Sequence, residues 1–194
     1  MKNLFFTVSL SAAVLVLAAS CGAPKQMATA PASNNPFGET FEAPCQEYDT
    51  DEYFAATGIA NGPQPRIGVV HEMALTNAQN IVRQKMQHAY KGAIDDYSSA
   101  IGTNMGTDMQ EKMERGGTQI IDQIINDTQE NCVKYSAVDS RGNISCYVGI
   151  RISKEEVATA IADYVSDDEE LKVRFNEFDF RKRMEENFKK FKEN

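Results

Sequence analysis

The chain has 194 residues, with 20 Lys and Arg against 28 Asp and Glu and a formal net charge of −8. That balance argues against nucleic acid as a partner, because phosphate binding draws on clustered Lys and Arg. The length suits one domain with appendages, and ten Phe, seven Tyr and eight Met, with no Trp, supply apolar material for one modest core.

The chain opens as an export segment. Lys2 is its one charge, an apolar stretch runs from Leu4 to Leu17, and Ala18, Ala19 and Ser20 lead into Cys21. That stretch is shorter than the about 20 apolar residues a membrane-spanning helix needs. Leu17, the small residues and Cys21 resemble the box at which bacterial lipoproteins are cut and lipidated, with Ala18 where that family usually has Leu. The resemblance implies a signal peptide over residues 1–20 and a mature chain beginning at Cys21. Its sulfur would carry diacylglycerol and its amine an acyl chain, a two-signal anchor in a membrane. Gly22 in place of an aspartate implies sorting to the outer membrane. The lack of an acidic cluster over residues 23–32 favours its periplasmic side.

Pro24, Pro31, Pro36 and Pro44 stand among Ala, Ser, Thr, Asn and Gly, so residues 21–44 read as a flexible tether. As a coil it would span roughly 25 Å, enough to hold a folded domain just off a membrane. Cys45, Cys132 and Cys146 remain beyond the anchor. In an oxidising compartment they predict one disulfide and a leftover thiol. Cys132 and Cys146 flank a predicted hairpin whose turn, Asp139 to Asn143, is not centred between them, so their registers match poorly. The preferred pairing is therefore Cys45 with Cys132, stapling the start of the domain to its second strand; the alternative stays open.

A folded domain is expected over residues 45–165. Tyr53 to Ala60 reads as a strand entering a Gly-rich turn that ends at Gly62. A long helix follows from about Val70 to Ile101, with Met73, Ala74, Ala78, Ile81, Val82, Met86, Ala89, Tyr90, Ala93, Ile94 and Tyr97 at the spacing of one buried face. A second helix is predicted over Asp108 to Asp127, with Met109, Met113, Ile120, Ile121, Ile124 and Ile125 inward and Gly116-Gly117 as a bend. Val133 to Val138 and Ile144 to Ile152 read as two strands, the latter alternating through Cys146, Val148, Ile150 and Ile152. Ser153 with Glu156 opens a third helix to about Tyr164, and Ser166 with Glu169 opens a last one over residues 166–194. The order predicts an α+β fold: a small three-stranded mixed or antiparallel sheet with helices on one face, plus a long C-terminal amphipathic helix.

The aromatic strand ending in Gly58-x-x-x-Gly62, the helix with Ala74, Ala78 and Gln79, and the strand with Val148-Gly149-Ile150 resemble the bacterial lipoprotein family called Lpp-twenty, over about residues 48–165. The resemblance implies an envelope lipoprotein with a small α+β domain and brings no catalytic residues. Pro63-Gln64-Pro65 departs from the family pattern.

No catalytic set stands out. His71 and His88 lie toward opposite ends of one predicted helix, and with no close Cys pair the sequence predicts no metal site and no cofactor. Asp95 and Asp96 are adjacent on a helix and point apart. Gly58 to Gly62 lacks the third glycine and the Lys-Ser/Thr of a phosphate loop, and no serine sits in a nucleophile elbow. The last helix carries Leu171, Phe175, Phe178, Met184, Phe188 and Phe191 near one stripe, amid the basic residues from Arg181 onward. That stripe is either core or a partner-docking face. The expected function is that of a non-enzymatic, lipid-anchored envelope protein that binds another protein or the cell wall. The alternative is a lipid-anchored enzyme or ligand-binding domain, which would show an enclosed pocket lined by side chains such as His88, Asp95 or Arg151.

Overall fold

The structure is a computed structural model that describes residues 42–101, 106–174 and 176–191. Cys21, the tether up to residue 41, and Phe175 of the C-terminal stripe lie outside the described residues.

Three strands form one antiparallel sheet. Strand β1 (Tyr53–Pro63) pairs along its whole length with β3 (Asn143–Ser153), and β2 (Glu130–Tyr135) lies on the other side of β3. Side chains alternate across the sheet, so Phe54, Ala56 and Ala60 of β1 and Ile144, Cys146, Val148, Ile150 and Ile152 of β3 are buried on one face. Helix α1 (Ile67–Ile101) lies on that face.

Its approach explains the glycines. A Cβ on Gly58 would overlap the Ala74 carbonyl oxygen and the Ala78 backbone nitrogen, so bare backbone on the strand meets small side chains on the helix. Gly58 to Gly62 is thus a packing surface within a continuing strand, not the turn that its composition predicts. The reversal comes later, in a 3-10 turn over Gln64–Arg66 that starts from Pro63.

Helix α2 (Thr107–Asn126) folds back along α1. The Tyr90 hydroxyl donates to Met113 O at 2.9 Å, Gln79 Nε2 donates to Ile125 O at 3.2 Å, and Arg83 pairs with Asp122 at 2.8 Å. Gly116 and Gly117 do not bend this helix. They leave room for the rings of Tyr164 and Tyr90, which a Cβ at either position would strike. Met73 and Ile81, expected inside α1, are exposed.

Helix α3 (Lys154–Asp167) leaves β3 with Ser153 Oγ accepting from Glu156 N at 3.2 Å, as the Ser-x-x-Glu spacing predicts. It runs past Tyr164 because Ser166 donates back to Asp163 O instead of starting a new helix. Asp168 takes that role: its carboxylate accepts from the backbone N–H groups of Glu170 and Leu171 and opens α4 (Glu169–Arg174). The C-terminal helix is therefore not one piece. Asn176 accepts from Asp179 N and donates its own N–H to the Tyr97 hydroxyl, which starts α5 (Glu177–Lys190) in a new phase.

That phase shift decides which aromatics are inside. Phe180, Met184 and Phe188 are fully buried, whereas Phe178 is 75% exposed. Phe180 meets Tyr97 edge-on at 5.3 Å and Phe188 meets Phe54 at 5.2 Å, so α5 closes the same core as the sheet. Leu171 belongs to that core too, so the stretch after residue 165 completes the domain instead of hanging from it. Burying one such Phe is worth about 1.5–3 kcal/mol.

Among the described residues no helix covers the opposite sheet face. A strap from Cys45 to Asp49 crosses it, joined to β2 by a disulfide between Cys45 and Cys132. Glu47 N donates to Thr57 Oγ1 at 2.8 Å, Thr57 Oγ1 donates to Cys45 O at 2.7 Å, and Asp49 accepts from Ala55 N at 2.7 Å. Gly149 lies directly beneath, where a Cβ would stand 2.8 Å from Glu47 Cγ. Along the free edge of β1, Lys85 donates to Ala55 O and Asn77 to Ile59 O, both at 2.9 Å. These side chains occupy part of an edge that another strand would otherwise extend.

Candidate functional site

The residues singled out by sequence do not converge. Nε2 of His71 lies 2.9 Å from Glu130 Oε1, within ion-pair distance though out of line for a hydrogen bond, and its ring faces Tyr135. His88 stands far along α1 beside the Phe191 ring at 5.9 Å. Asp95 is exposed, while Asp96 pairs with Arg183 at 3.3 Å. Arg151 gives its Nε to Glu47 under the strap. Among the described residues no group of three or more His, Cys, Asp or Glu is placed to hold a metal ion.

The C-terminal stripe is mostly core. Leu171, Met184 and Phe188 have no exposed surface and Phe191 packs against the core, so a docking face made of these residues is ruled out by their burial. Only Phe178 of the described members faces solvent. Cys146 is a free, fully buried thiol on the helix-facing side of β3. Burial pushes its pKa up, and a hydrogen bond with the Tyr135 hydroxyl offsets part of that rise. A thiol held in its neutral form is a poor nucleophile.

A broad cleft lies elsewhere, between the last two turns of α2, the start of β2, the end of β3 and the outer side of α3. It has a volume of about 770 Å³ and opens broadly to solvent. Ile120 and Ile124 of α2 and Ala160 and Tyr164 of α3 form its apolar floor, all of them half-buried. Each pair is four residues apart on its helix, so the two rows face one another across the groove. Gly116 sets the distance between the helices by taking the Tyr164 ring against α2. The expectation that Ile120 and Ile124 lie wholly inside is therefore corrected: Ile121 and Ile125 are core, and the neighbouring row lines the groove.

Asp127, Glu156, Asp163 and Asp167 form the rim. Among the described residues none of these carboxylates has a basic side chain within ion-pair distance. Neighbouring acids do: Asp122 has Arg83, and Asp168 and Glu170 share Lys112. Arg151, the one cation lining the groove, is already taken by Glu47. The hydroxyls of Ser153 and Thr128 are engaged in helix ends, accepting from Glu156 N and donating to Ile124 O. Neither histidine lines the groove. Its lining is apolar at the floor and acidic at the rim.

Sequence reading missed this site because a half-buried helix row looks like core. The available signal was the width of the α2 pattern: two adjacent isoleucine pairs, 120–121 and 124–125, give a wider apolar stripe than one helix contact fills. Among the described residues, no helix is long and apolar enough to cross a membrane. No family model, curated protein or solved structure matches this chain.

Proposed function

We propose that this chain is a non-enzymatic protein of the cell envelope, anchored through lipid on Cys21 to the periplasmic side of the outer membrane, whose folded domain binds another protein or the cell wall. The observation that carries the reading is the Cys45–Cys132 disulfide, which closes 87 residues of chain immediately after the tether. Such a bond persists in an oxidising compartment and is rare in a reducing cytosol, so it supports export by the segment that ends at Cys21. An open groove, apolar at the floor and acidic at the rim, supports binding over turnover.

The test is fractionation with metabolic labelling. The chain is expected to take up labelled palmitate and to stay with membranes through a high-salt wash, and Cys21→Ser to abolish both. A Cys21→Ser variant that remains wholly membrane-bound, or a wild-type chain that takes up no label, overturns the anchor.

A further inference from the structure

We infer that the groove between α2 and α3 receives a basic amphipathic helix from a protein partner. The inference rests on the reading of this domain as a binding module and names what it binds.

Three observations converge on that occupant. The floor is two parallel rows at helical spacing, Ile120 with Ile124 and Ala160 with Tyr164, and each keeps apolar atoms open to water. A third helix laid between two others fits such rows at the usual interaxial distance of about 8–10 Å. The rim has four carboxylates without a cation of their own among the described residues, while Asp122, Asp168 and Glu170 beyond it are paired. The charge complement is therefore missing from this chain and belongs to the partner. The length also fits, since Glu156 to Asp167 covers about 17 Å of α3, or three turns.

Other occupants meet only part of these conditions. A small polyamine would answer the carboxylates and leave the isoleucines wet. An anionic lipid surface or an acidic segment would meet repulsion along the whole rim. Lysines placed on both flanks of an apolar helical stripe answer floor and rim together.

The experiment uses the full chain in nonionic detergent, with or without its lipid. It is titrated with a fluorescent synthetic peptide of about five helical turns, leucines on one face and lysines on the other. Saturable one-to-one binding is expected, weakened about tenfold or more by the double substitution D163K/D167K and by raised salt. Both positions are exposed on α3, and a lysine near the end of the helix suits its dipole, so the variant keeps the fold, as circular dichroism would check. Measuring both proteins in the same detergent cancels binding to micelles. Matching peptides with serine for leucine, or glutamate for lysine, are expected to bind far more weakly.

Equal binding by wild type and D163K/D167K overturns the inference, as does equal binding of either control peptide. Membrane location is read separately. A chain that stays with the membrane and ignores the peptide sinks only the groove, and one that binds the peptide without an anchor sinks only the lipid.

Discussion

The two faces of the sheet are closed by opposite means. On one, Phe54, Ala56, Gly58 and Ala60 of β1 and the isoleucines of β3 meet α1 and α5, and burial of apolar area holds the layers together. On the other, a strap from Cys45 to Asp49 is held by a few hydrogen bonds, two ion pairs (Glu47 with Arg151 and Asp49 with Lys85) and a disulfide, with Ile59 still 47% exposed. The helix-covered face is sensitive to volume and indifferent to redox state. The strapped face depends in addition on its crosslink, whose removal acts largely on the freedom of the unfolded chain.

The sharpest way to break this contrast is at Gly58. Gly58→Val puts a branched side chain into the α1 backbone, so the helix must lift from the sheet. A loss above about 4 kcal/mol, or failure to fold, is expected in urea denaturation. A variant as stable as wild type would mean that α1 is not seated on β1. Next is the double substitution C45A/C132A, with an expected cost of about 2–4 kcal/mol. Hydrogen exchange should then quicken most at the Glu47 and Ala55 amides, which bond to Thr57 and Asp49, while amides within β3 share only the global loss of stability. Opening of β3 to the same extent would show that the faces are not independent.

The smallest effect lies in the helix layer, at Asp168. The Lys112 ammonium, followed by the backbone N–H of Leu171, holds its carboxyl below the ordinary range. A group lowered on folding adds stability above its unfolded pKa and loses it as pH falls through the folded value. Wild type should therefore lose part of its stability below about pH 4, with Asp168→Asn showing a shallower acid slope in thermal melts. Identical slopes would remove Asp168 from the acid response.

Much of the scaffold was readable because its periodicity is strong. The long helix α1, the hairpin partner β3 and the Ser153 cap follow directly from spacing and capping chemistry. Sequence alternation predicts the edge strand over Val133 to Val138, about three residues late, whereas β2 runs from Glu130 to Tyr135. An edge strand with a bulge at its start buries little on either face, so alternation there is faint. A continuous last helix, as the periodicity predicts, puts Phe178 on the apolar stripe and leaves out Phe180, whereas Phe180 is buried and Phe178 exposed. Asn176 three residues before Asp179 carries the interruption, and its capping chemistry was present in the sequence. Gly58, Gly116 and Gly117 signalled turns or breaks, yet each answers a ring or a backbone far away in the chain. No local rule contains that information. The groove was hidden for the same reason, since only the meeting of α2 with α3 turns a helix row into a lining.

Lys154 is almost wholly buried, and its ammonium donates to Thr50 O at 2.6 Å and Phe191 O at 2.7 Å while sitting 4.9 Å over the Phe54 ring. It works as a clasp between the opening and closing stretches of the domain. If either stretch peels away, a cation is stranded in an oily setting, a loss of several kcal/mol that fraying ends do not normally face. The two stretches are thus coupled through one ammonium, and loosening either takes away one of its two carbonyl partners.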